Sequence, residues 1–152
     1  MKTFRWVSNN FLIFILVGIM IGCSTRAHVN IDRVSTENVV FIVAHGDDLG
    51  VGLVISEELS KRGYKVYAFN PPKKTFSQRS ASSMPKRSIF IEFNYKYNWD
   101  LFHYTLSSFS MRWVDVDSGE TIAHGNFSGA SLQSYVGIVK GVMNKVLNEA
   151  GM

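Results

Sequence analysis

A single cysteine, 18% charged residues and no apolar run of bilayer length exclude several kinds of protein at once. One cysteine cannot form an internal disulfide. Low charge beside 46% hydrophobic residues excludes a disordered tail or a coiled coil over most of the 152 residues. The longest apolar run falls short of the ~20 residues that span a bilayer. The sequence also lacks a glycine-rich phosphate loop, a G-x-S-x-G elbow, a C-x-x-C pair and any internal repeat. What it has is bulk for one core: 13% aromatic residues, 11 of them Phe, in a length that suits one domain.

The amino terminus is an address. Lys2 and Arg5 precede an apolar run from Phe11 to Ile21, which has the length of a signal-peptide h-region. The run ends in Met20-Ile21-Gly22-Cys23-Ser24. That junction resembles the lipobox of bacterial lipoproteins, with Met20 where Leu is usual, and the resemblance implies that Cys23 becomes the lipid-carrying first residue. Ser24 at the next position resembles lipoproteins sent on to the outer membrane. Several acyl chains anchor stably where one is marginal. The expected organisation is a signal peptide over 1–22, a lipidated Cys23 and polar tether over 23–38, and one periplasmic α/β domain over 39–152. The formal charge of +4 includes Lys2 and Arg5, so the mature charge is 14 − 12 = +2. That balance is no signature of a nucleic-acid binder.

Hydrophobic periodicity predicts the elements of this domain. Val39–Ala44 is a β-branched, aromatic run that reads as a buried strand. His45-Gly46-Asp47-Asp48 reads as a turn in which either Asp can cap a helix. Leu49–Arg62 carries Val51, Val54, Ile55 and Leu59 on one helical face and stops at Gly63. Tyr64–Phe69 alternates as a second strand, ended by Pro71-Pro72. Residues 73–87 are basic and Ser-rich, contain no acidic residue and read as a long loop. Ser88–Tyr97 alternates cleanly, with Ile89, Ile91, Phe93, Tyr95 and Tyr97 on one face. Asn98–His103 reads as a connection, Tyr104–Val116 as a strand with a bulge, Asp117–Glu120 as a hairpin turn and Thr121–Phe127 as the returning strand. Leu132, Val136, Val139, Met143, Val146, Leu147 and Ala150 mark a final helix with Ser131 as its cap. The expected fold is a mixed α+β sheet: strand, helix, strand, long loop, three-strand antiparallel meander, helix, with both helices on one face. The other face is expected to be partly open.

Leu59–Val66, a helix end running into a strand, and Val114–Glu120, with its D-x-x-[ST]-G-E hairpin, resemble the amino-terminal domain of TolB. They also resemble the periplasmic lipoproteins that share that fold, including the activators of penicillin-binding proteins. Asn98-Trp99-Asp100 is similar to segments of other small lipoproteins. The resemblance covers about residues 38–150. It implies a periplasmic binding or assembly module and supplies no catalytic residue.

Three segments invite other chemistry. Ala44–Gly50 is similar to the A-H-P-D-D-E signature of zinc-dependent N-acetylglucosaminyl deacetylases. That resemblance implies His45 and Asp48 as zinc ligands and Asp47 as general base, with a third ligand among the downstream histidines, His103 and His124, a pair that could also face each other across strands. Gly46 and Leu49 depart from the signature, and the alternative is a plain strand–turn–helix corner. Lys73, Lys74, Arg79, Lys86 and Arg87 put five positive charges on one loop, which can meet anionic headgroups or an acidic partner. Trp99 lies in an aromatic stretch of the kind that supplies protein-binding hot spots. His28, in the tether, carries no signal.

The sequence therefore predicts a lipid-anchored outer-membrane module facing the periplasm. It needs no cofactor or catalysis, has an envelope protein as partner and the membrane as anchor, and leaves the oligomeric state open. The alternative is a metal-dependent hydrolase of envelope sugars at His45–Asp48.

Overall fold

A computed structural model describes residues 24–29, 35, 37–44, 46–69, 85 and 87–151, the side chain at position 69 apart. The elements are β1 (Ser24–Val29), β2 (Val39–Val43), α1 (Val51–Lys61), β3 (Lys65–Phe69), β4 (Ser88–Asp100), β5 (His103–Asp115), β6 (Thr121–Ser128) and α2 (Tyr135–Glu149). One six-stranded sheet has the order β1-β6-β5-β4-β2-β3. β2 pairs in parallel with both β3 and β4, and every other pairing is antiparallel. The mixed sheet with two helices is the expected α+β fold. The first strand–helix–strand is a crossover between adjacent strands, and the meander β4-β5-β6 is continuous.

Burial follows the predicted periods. Val40 and Ile42 of β2, Ile89 and Ile91 of β4, and Phe109, Met111 and Trp113 of β5 point to the helices and are buried. α1 covers β2 and β3, α2 covers β1, β6 and β5, and the helices touch each other. Each such large side chain withdrawn from water contributes roughly 1.5–3 kcal/mol. Trp113 sits at the centre, fully buried, with the ring of Tyr64 edge-on at 6.2 Å. α2 approaches β6 closely at Gly125, where a Cβ would lie 2.7 Å from Val142 Cγ1 and 2.9 Å from Val146 Cγ2. Hydrogen there is what lets the helix sit down on the sheet. Between the helices, Glu58 of α1 bridges Lys61 at 3.0 Å and Lys140 of α2 at 3.1 Å. The two ammonium groups hold its carboxyl below the usual range.

Three boundaries differ from the sequence expectation. Residues 24–29, expected within the tether, form β1 on the edge of the sheet. Its six residues alternate between exposed and half-buried, with only Ala27 and Val29 apolar. An edge strand held by a β6 ladder and by the Lys145 ammonium donating to Thr25 O at 2.7 Å needs no strong apolar signal. β4 and β5 run on through the expected connection at 98–103, so their hairpin turns at 100–103. α2 starts three residues later than expected. Ser134, not Ser131, is its cap, accepting from Gly137 N at 3.4 Å, and Leu132 lies outside the helix, exposed.

Candidate functional site

The corner between β2 and α1 is a helix-start device. Gly50 adopts φ 72°, a left-handed conformation that turns the chain into α1. The Asp47 carboxylate reaches over it: Oδ1 accepts from Val51 N at 2.8 Å and Oδ2 from Gly52 N at 2.7 Å. Those are two of the donors that a helix start leaves unpaired. The Tyr95 hydroxyl, from β4, donates to Oδ1 at 3.0 Å and accepts from Leu49 N at 3.2 Å. Burial, above all, pushes the Tyr95 phenol up, and the neighbouring Asp47 adds to it. Gly50 holds the N-cap position without a side chain, and Asp47, three residues upstream, does the capping with both oxygens engaged. Asp48 is exposed. His45 lies outside the described residues, so the deacetylase-like ligand set is not assembled among those described. No group of three His, Cys, Asp or Glu side chains converges there.

The two downstream histidines are not a pair. His103 stands at the β4–β5 turn, 3.9 Å from Asp100. His124 of β6 lies opposite Arg112 and His28, with the His28 ring centroid at 5.7 Å. His28 therefore belongs to the sheet rather than to a tether.

Beyond Lys96 and Ser108 the β4–β5 hairpin leaves the body of the sheet. Rings continue along its helix-side surface. Phe93 and Tyr95 are 6.3 Å apart, Tyr95 and Tyr97 6.0 Å, Tyr97 and Tyr104 5.5 Å, and Tyr104 and Trp99 4.8 Å. Trp99 is 60% exposed, and Leu101 and Phe102 at the tip are each 84% exposed. Trp99, the one aromatic residue singled out from the sequence as a contact, is thus on a projecting arm. Phe102 and Tyr104 of the same aromatic stretch lie on it too, and Leu101 was missed. The parity that joins Ile89 to Tyr97 continues to Trp99, and that was the signal for a longer strand.

The opposite face of β4, β5, β6 and β1 has no described helix on it. It is polar: Arg112 bridges Glu92 across the strands, Nε to Oε2 at 2.6 Å, and His124, Asn126 and Arg26 lie beside them. A trough of about 440 Å³ runs between Glu92, Arg112, His124 and Asn126. Its walls are exposed strands, so it is a surface for contact rather than an enclosed pocket.

Of the five basic loop residues, Lys73, Lys74, Arg79 and Lys86 lie outside the described residues, as does Cys23. Arg87 is described. It is exposed, has φ 63°, and its guanidinium pairs with the Glu37 carboxylate.

The fold and these surfaces define a small α+β sheet module with an aromatic arm and a polar face on which no described helix lies. No family model and no curated protein matches the sequence. Among solved structures, the fold is similar to the PelC dodecamer from Paraburkholderia phytofirmans. The TM-score is 0.56 at 14% identity, over 84% of this chain and 96% of that one. A substituted variant of that PelC dodecamer gives a TM-score of 0.55 at 14% identity, over 84% of this chain and 98% of that one.

Proposed function

We propose that the protein is a lipid-anchored, non-catalytic binding module of the outer membrane, held by acyl chains on Cys23 with its domain in the periplasm, and that it engages another envelope protein. The observation that carries this is the start of β1. Ser24 follows Cys23 directly and is paired with Ser128, so a lipid on Cys23 would hold the sheet close to the bilayer in one orientation. The polar face opposite the two described helices supports the binding role. It offers the cross-strand Arg112–Glu92 pair, His28 and His124 to a partner.

The test has three parts. Mass spectrometry of the mature protein should find an acylated Cys23 at the amino terminus, and Cys23→Ser should leave the precursor unprocessed. A soluble mature form beginning elsewhere would refute the anchor. A photo-reactive residue at His124 should cross-link in intact cells to a discrete envelope protein, and native mass spectrometry of the lipidated protein tests whether the dodecameric state of the PelC neighbours extends to this chain. Stoichiometric zinc that is lost in His45→Ala would instead favour the deacetylase-like alternative. Nothing in the described geometry favours that reading, since both Asp47 oxygens are already used by α1 and Tyr95.

A further inference from the structure

We infer that the β4–β5 arm is a second membrane contact, dipping its tip into the phospholipid surface beside the lipid on Cys23; this deepens, and rests on, the anchored reading above. The register supplies the geometry. Ser24 pairs with Ser128, Ser128 with Ser108 and Ser108 with Lys96, so all four stand at one level across the sheet. The arm projects beyond that level by four residues of β4, which at the rise of a strand is about 13 Å. β1 begins with Ser24 at this same edge of the sheet, so acyl chains on Cys23 would stand on the side from which the arm projects.

The composition of the arm is graded along its length. Leu101 and Phe102, wholly apolar, form the tip. Trp99 and Tyr104, two residues back, carry a ring with one polar atom, and Tyr97 follows. That order matches a bilayer surface, where hydrocarbon lies below a headgroup layer of about 5–7 Å and Trp and Tyr gather at the boundary. Leu132, 85% exposed, is held beside the arm: the Thr105 hydroxyl shares its one proton between Ser131 O at 3.1 Å and Gln133 O at 3.0 Å, on either side of it. Asp100 and His103, at the base of the turn, limit the depth to the tip side chains, because a carboxylate does not enter hydrocarbon without large cost.

The protein matured in cells and purified from membranes, reconstituted into phosphatidylethanolamine–phosphatidylglycerol vesicles with brominated acyl chains, tests this. Trp6 leaves with the signal peptide and Trp113 is fully buried, so Trp99 carries the accessible fluorescence. Its emission should shift to the blue and be quenched by the brominated chains. Trp99→Phe should remove the quenched component. Leu101→Asp with Phe102→Asp should abolish quenching of Trp99 while thermal melts stay those of the parent. A protein that is acylated on Cys23 and floats with the vesicles, yet shows an unquenched, unshifted Trp99, overturns the arm contact and leaves the anchor standing. A photo-reactive residue at Phe102 that cross-links mainly to a second copy overturns it in favour of an assembly contact. If the mature protein lacks acylation, the anchored reading fails. In that case quenching of Trp99 in the soluble form on added vesicles sustains the arm contact, and no quenching overturns it.

Discussion

Replacing Asp47 separates a structural carboxylate from a chemical one. The side chain receives three hydrogen bonds, from Val51 N, Gly52 N and the Tyr95 hydroxyl. Asp47→Ala leaves two helix-start donors and a phenol without their partner. Loss of a cap costs about 0.5–2 kcal/mol, and loss of negative charge at a helix amino terminus about 0.3–1 kcal/mol more. The expected total is ~1–3 kcal/mol, or roughly 3–15 °C in Tm for a domain of this size. Asn is not neutral here. An amide has one acceptor oxygen, so its NH2 must face either Gly52 N or the donors at Val51 and Tyr95. Asp47→Asn should therefore cost ~1–1.5 kcal/mol. Tyr95→Phe should cost ~1 kcal/mol, and the double variant should show a coupling of ~0.5–1 kcal/mol with Asp47→Ala. Urea titrations followed by circular dichroism measure all four, with an unchanged slope against denaturant showing that only stability moved. If Asp47→Asn melted like the parent and nevertheless abolished function in cells, the cap argument would be wrong and the carboxylate would have a chemical role.

Other expectations follow from the core. Burial pushes the Tyr64 phenol up to about 12, so the folded state resists its ionisation. The stability this gives is fully present below the unfolded value near pH 10 and is lost as pH rises from there through about 12, a loss of roughly 2.5 kcal/mol that Tyr64→Phe should remove from alkaline melts. Gly125→Val should destabilise by more than ~2 kcal/mol in a melt, since its Cβ alone overlaps Val142 and Val146. Ile91→Asp and Val139→Asp, both buried, should unfold the domain by circular dichroism, whereas Lys96→Asp on the exposed face should be mild; a folded Val139→Asp would contradict the packing of α2.

The parts of the fold that were legible are those where one face is buried and the other is wet. β2, α1, β6 and the first half of β4 announce themselves by period, and the Asp117–Glu120 turn by its residues. The reading failed where burial stops imposing a pattern. β1 buries little and is held by its ladder, so Ser24–Val29 reads as a tether. The arm is exposed on both sides, so polar Asn98 and Asp100 read as a connection although the backbone stays extended to the turn. Asp47 was legible as one of two possible caps. Its tie to Tyr95, 48 residues away, was not, because only the β2–β4 pairing brings them together. The TolB-like resemblance rested on turn residues, which a hairpin of this kind selects in many sheets, and the structural likeness found is to PelC.

The pairing of β1 with β6 has a temporal consequence. Its partners, from Ser24↔Ser128 to Val29↔Ala123, are separated by about a hundred residues of chain. β4, β5 and β6 meet across short turns, and contacts of short span form early because little chain entropy is lost in closing them. On the proposed route of export, amino terminus first, the β1 segment is delivered early, yet it has nothing to pair with until residues 123–128 have arrived. From then until β1 docks, the free edge of β6 is open to any extended strand nearby, including the first strand of a neighbouring copy. Early delivery and late docking make β1 the element on which fidelity of assembly depends.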